Sequence, residues 1–127
     1  MNRNEASYIV RNTIFALIGA ILLVLKSQYT GPYSEVVLSY SGNICASFAV
    51  YFIVRLSNRR IRINRFLNAV MALLIVQIFE ITNGFGVMLN VYDPLDLIAN
   101  TIGIAAAILV DIVASNISRN QTIKSEQ

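Results

Sequence analysis

The sequence predicts an all-α integral membrane protein, a bundle of four transmembrane helices with both termini in the cytoplasm. Three observations predict it. Of 127 residues, 56% are hydrophobic and 13% are charged, against about 25% charged in an ordinary soluble domain. The apolar residues fall into four runs separated by short connections rich in Gly, Pro and Asn. If all four runs cross a bilayer, nine of the ten basic residues lie on one side. The length allows one domain: residues 1–115 form the bundle, and the polar residues 116–127 form a cytoplasmic tail.

A helix crossing the hydrocarbon core needs roughly 20 mostly apolar residues, since the core is about 30 Å thick and each residue rises about 1.5 Å. The first span covers residues 8–25, with Arg11 close enough to the end to snorkel toward the headgroups. A signal peptide is the alternative here. Lys26-Ser27-Gln28-Tyr29 offers no small-x-small cleavage pattern, so an uncleaved helix is expected. Residues 36–55 form the cleanest span, uncharged until Arg55. The third, residues 66–82, contains Gln77 and Glu80. The fourth, residues 94–115, contains Asp96, Asn100 and Asp111. Breakers stand where turns are needed: Gly31-Pro32, Asn83-Gly84-Phe85-Gly86 and Asp93-Pro94.

Orientation follows from the basic residues. Arg3, Arg11, Arg55, Arg59, Arg60, Arg62, Arg65, Arg119 and Lys124 share one side, and Lys26 is alone on the other. The side with nine is the cytoplasmic one. These basic groups flank apolar spans instead of lining one soluble face, so the net charge of +3 points to membrane lipids and not to nucleic acid. With no histidine and one cysteine, an internal disulfide and a His/Cys zinc site are both excluded. No other metal or cofactor is implied.

Lipid tails are as apolar as leucine, so the helices must associate through close packing of small residues and interhelical hydrogen bonds. Each of three spans carries a stripe for this: Asn12, Ala16, Gly19 and Ala20; Ser39, Gly42, Asn43, Ala46 and Ser47; Ala99, Gly103 and Ala107. Asn43 stands out, because an amide in mid-span needs a partner.

The fourth span is the most informative. Asp96, Asn100, Gly103, Ala107 and Asp111 recur every three or four residues and form one stripe. Carboxylates on an intramembrane face must point into the bundle or a wet cavity. Asp96 lies at the outer end, and the third span brings Glu80 to nearly the same depth. Asp93 sits just outside. A candidate ligand site therefore comprises Glu80, Asn83, Asp93, Asp96, Asn100 and Gly103, with Lys26 the basic residue on that side. Helix capping accounts equally well for Asp93, less so for Asp96, and not for Glu80 or Asn100. Asp111 lies about 22 Å further along the helix. A carboxylate near a helix C-terminus opposes the dipole, and a structural ion pair with Arg55 or Arg11 is expected.

The run Asp93-Pro94-Leu95-Asp96-Leu97-Ile98-Ala99-Asn100-Thr101-Ile102-Gly103 resembles the signature of VanZ-like membrane proteins. In these, an aspartate pair precedes a helix that continues with an Asn-Thr-x-Gly step. A glutamate with an amide three residues on ends the preceding helix, and Glu80 and Asn83 match that. The likeness covers residues 77–107. The arginine that the family carries shortly before the aspartates is absent from Met88-Leu89-Asn90-Val91-Tyr92. The resemblance implies a bacterial cell-envelope protein associated with lowered susceptibility to glycopeptide antibiotics, notably teicoplanin.

Three functions fit the residues. One is non-enzymatic binding of a lipid-linked or amphipathic ligand at the outer polar cluster. The second is an accessory subunit or homo-oligomer, whose fourth-span stripe faces a membrane partner. The third, an intramembrane enzyme acting on a lipid substrate, is favoured least, because no catalytic residue set is recognisable.

Overall fold

The computed structural model describes residues 3–61, 63–86 and 93–125. Among the described residues there are four helices: α1 (Arg3–Leu25), α2 (Ser34–Ser57), α3 (Arg65–Ile81) and α4 (Pro94–Ser125). A 3-10 turn, Lys26–Gln28, follows α1. The chain is thus all-α. Three stretches are long and apolar enough to cross a membrane: Asn4–Gln28, Ser34–Ser57 and Pro94–Asn120. With 17 residues α3 is shorter, spanning roughly 25 Å at the standard rise. The polar segment after residue 115 does not leave the helix, and α4 runs on to Ser125.

Local chemistry sets the limits of α3. Asn64, in extended conformation, caps its start, its side chain accepting a hydrogen bond from the Leu67 amide at 2.7 Å. The far end is a Schellman motif. The Gly84 amide donates to the Phe79 carbonyl at 2.8 Å, and the Asn83 amide donates to Glu80 at 3.0 Å. Asn83 takes the left-handed conformation, φ 47°, that this motif requires. Asp93 caps α4: its Oδ1 accepts from the Leu95 amide at 2.9 Å, with Pro94 in the first helical position.

Helix α2 is the centre of the bundle. It packs against α1, α3 and α4; among the described residues the α1 backbone comes close to that of α2, and α1 reaches α4 through the Arg11 side chain. Two faces of α2 do different work. Toward α1, Gly19 approaches until an added Cβ would lie 2.9 Å from Ala49 Cβ and 3.0 Å from the Cys45 carbonyl oxygen. Toward α4, an added Cβ on Gly103 would run into the Ile44 carbonyl oxygen. The ladder Ala99, Gly103 and Ala107 is buried throughout, as expected where two backbones meet. The stripe on α2 therefore splits, with Gly42 under α1 and Ser47 under α4. Asn43 offers its backbone carbonyl to Ser47, and its amide makes no hydrogen bond among the described residues.

The apolar core, around Tyr51, Phe52, Ala72, Ile104 and Ala107, lies toward the C-terminal end of α2 and the first halves of α3 and α4. Phe15 and Phe48 pack on Phe52 with ring centroids 5.0 and 5.1 Å away. The exterior is apolar as well. Phe66, Leu74, Ile75, Ile78 and Phe79 on α3 are all exposed, as are Val10, Ile14, Leu17 and Ile21 on α1. An exposed apolar area that extensive suits lipid, not water.

Candidate functional site

Hydrogen bonds between α2 and α4 show that the two helices run in the same direction. Tyr40 donates to Asp93 Oδ2 at 3.1 Å, Ser47 lies 2.6 Å from Asn100 Oδ1, and Tyr51 donates to Asp111 Oδ2 at 3.1 Å. This one seam carries polar groups at three depths.

At the end where α4 starts, Asp96 and Asn100 are buried, with 5% and 3% of their surfaces exposed. The Glu80 carboxyl lies near enough to that of Asp96 for the two to interact. The Schellman motif fixes the last turn of α3, so Glu80 is presented by rigid backbone. Gln77, one turn earlier, donates to the Leu97 carbonyl at 3.2 Å and pins α3 to α4 beside the pair. Ser47 has one hydroxyl proton and two acceptors within reach, the Asn43 carbonyl and Asn100 Oδ1.

Not every candidate joins this group. Asp93 turns to Tyr40 and to its capping bond. Among the described residues no three acidic or sulfur side chains gather closely enough to hold a metal ion. Lys26 points the other way: its ammonium donates to the Leu38 carbonyl at 3.0 Å and lies over Gly42. That is the α1–α2 seam, and Lys26 makes no ion pair among the described residues. Gly103 is closed off by helix contact, and Asn83 serves as the α3 cap. The candidates that meet are Glu80 and Asp96, while Asn100, one turn further along α4, is taken up by Ser47 of α2. Residues 87–92, where the resemblance calls for an arginine, lie outside the described residues.

The opposite end holds the densest charge. Asp111 is fully buried, and three arginines converge on it: Arg11 at 3.1 Å, Arg65 at 3.1 Å and Arg55 at 3.5 Å. Tyr51 donates to the same carboxylate, and Ser115 bridges Arg11 and Asp111. Arg11 therefore does not snorkel outward; a buried carboxylate draws it inward. Arg55 also donates to the Ile63 carbonyl at 3.0 Å and ties down the loop after α2. The sequence reading paired Asp111 with Arg55 or Arg11, and the structure brings both and adds Arg65. What points to Arg65 is its place in the first turn of α3, at the depth where α2 ends.

An accessory subunit of the kind considered above needs the α4 stripe to face outward. Here Asp111, Ala99 and Ala107 are buried within the chain itself. No protein-family model, curated protein or solved structure matches the chain.

Proposed function

We propose that the chain is a VanZ-like protein of the bacterial cell envelope that binds the polar head of a lipid-linked or amphipathic ligand at the outer membrane face. In this reading all four helices cross, both ends are cytoplasmic, and Glu80, Asp96 and Asn100 make the polar contacts. Three of the helices are long and apolar enough to span, and the exposed apolar face of α3 suits lipid in the same way. A helix a few ångströms short is accommodated by local thinning of the bilayer.

The observation that carries the reading is the contact between Glu80 and the buried Asp96. Two carboxyl groups that close need a proton, a cation or a donor-bearing group between them. Ammonium and sugar hydroxyl groups supply such donors, and amphipathic antibiotics and lipid-linked precursors carry them. The supporting likeness is the Glu80, Asn83, Asp93, Asp96, Asn100 and Gly103 pattern. The expected effect on the cell is lowered teicoplanin susceptibility.

The test compares Glu80→Gln and Asp96→Asn with Glu35→Gln, a change at an exposed acid in the first turn of α2. Teicoplanin susceptibility is measured in cells where immunoblotting shows equal protein levels. Both site variants should restore sensitivity, and Glu35→Gln should not. Unchanged susceptibility in both site variants contradicts the proposal.

A further inference from the structure

The basic end contains a cleft that the Asp111 network does not fill. It measures about 250 Å³ and lies between the first turns of α1, the end of α2, the following loop and the start of α3. Its lining is Tyr8, Arg55, Asn58, Arg59, Ile63 and Asn68. Four of these six are Arg or Asn, in a chain where 56% of residues are hydrophobic.

Charge in this region does not balance. One carboxylate, Asp111, serves three guanidinium groups. Arg59 adds a fourth in the cleft, and its side chain makes no hydrogen bond or ion pair among the described residues. Surplus positive charge beside a low-dielectric interior calls for an anion.

Two buried atoms lack partners where the cleft is lined. Asn68 is fully buried; its amide nitrogen donates to the Tyr51 carbonyl, and its Oδ1 accepts nothing. The Nε of Arg55 is also buried and donates to nothing. Buried polar groups in folded proteins are satisfied, so unmet ones beside a cavity point to a missing occupant. Here the occupant must accept from Arg55 and Arg59 and donate to Asn68. A phosphodiester with a hydroxyl-bearing head group has both features.

The position of the cleft also matters. Ile61, Phe66 and Leu67, each within two residues of a lining residue, are 71%, 78% and 47% exposed. Apolar side chains beside arginines fit the membrane interface, with the rings toward acyl chains and the guanidinium groups at phosphate depth.

We infer that this cleft is a binding site for the phosphodiester head group of an anionic phospholipid, contacted by Arg55, Arg59 and Asn58 and sensed by Asn68. The inference rests on the membrane reading above but not on the outer site, whose substitutions leave it untouched.

Purified protein is titrated in detergent micelles with phosphatidylglycerol, phosphatidylcholine or inorganic phosphate. Thermal unfolding is followed by the reaction of Cys45 with a thiol dye; Cys45 is the sole cysteine of the chain and is half-buried in the folded state. Phosphatidylglycerol should raise the midpoint and phosphatidylcholine should not. Arg59→Gln, at an exposed position, should weaken the apparent phosphatidylglycerol affinity about fivefold, the usual contribution of one arginine at an anionic surface. Arg119→Gln, basic and exposed but outside the cleft, should leave it unchanged. Equal losses in the two variants indicate diffuse attraction and overturn the site. Equal stabilisation by inorganic phosphate overturns the lipid assignment, and equal stabilisation by phosphatidylcholine overturns the charge argument.

Discussion

At the scale of single residues, Asp111 is where the energetic stakes are greatest. Its carboxylate has no exposed surface, and Arg11 and Arg55 beside it are 18% and 14% exposed. Arg65, at 41%, is partly in solvent and counts for less. Removing one member of a buried ionic group leaves the others uncompensated, at a cost of about 3–5 kcal/mol. Asp111→Ala should therefore lower the unfolding midpoint in detergent sharply or abolish accumulation of folded protein. A variant as stable as the parent would mean that the arginines find water or lipid phosphate without the carboxylate. The pairing was legible in the sequence because a carboxylate near the end of a long apolar helix needs a cation, and two arginines lie at its depth. The turn of Lys26 onto α2 was not legible. Counting residues gives depth along a helix, whereas the direction a side chain takes around it depends on which neighbour packs where.

Among elements, α2 explains most of the architecture because it offers backbone on two sides. Gly19 and Gly103 bring α1 and α4 against it, and neither contact has room for a methyl group. The obstacle at Gly103 is a carbonyl oxygen of the α2 backbone, which cannot rotate away as a side chain would. Gly103→Ala should thus separate α2 from α4 at a cost of about 1–3 kcal/mol, typical of overpacking. The loss is measurable as a lower unfolding midpoint, and no loss would show that the helices are less tightly seated. Small-residue spacing in α1 and α4 made these seams visible in advance. The ends of α3 were visible in part: Asn83-Gly84 marked a turn, but its role as a Schellman cap depends on hydrogen bonds that spacing alone does not specify. Of these candidates, Glu80 and Asp96 met because α3 and α4 are neighbours, and Asn100 turned to Ser47 on α2. Asp93 and Asn83 went to capping, the competing use that polar residues at helix ends commonly have.

For the whole molecule, charge is distributed by depth. Glu80 and Asp96 meet at the end where α4 begins, and Asp111 with its arginines lies at the other. Between them the exterior is apolar, and in the proposed topology the basic end faces the cytoplasm. In the proposed topology α3 crosses along with the three longer helices, placing the loop after α2 on the same side as the end of α4. Single cysteines introduced as Thr30→Cys, Arg60→Cys and Asn120→Cys on a Cys45→Ser background test it in intact cells with a membrane-impermeant maleimide. Labelling is expected at position 30 from outside, and at positions 60 and 120 only after the membrane is permeabilised. Labelling of positions 60 and 120 from opposite sides would contradict it.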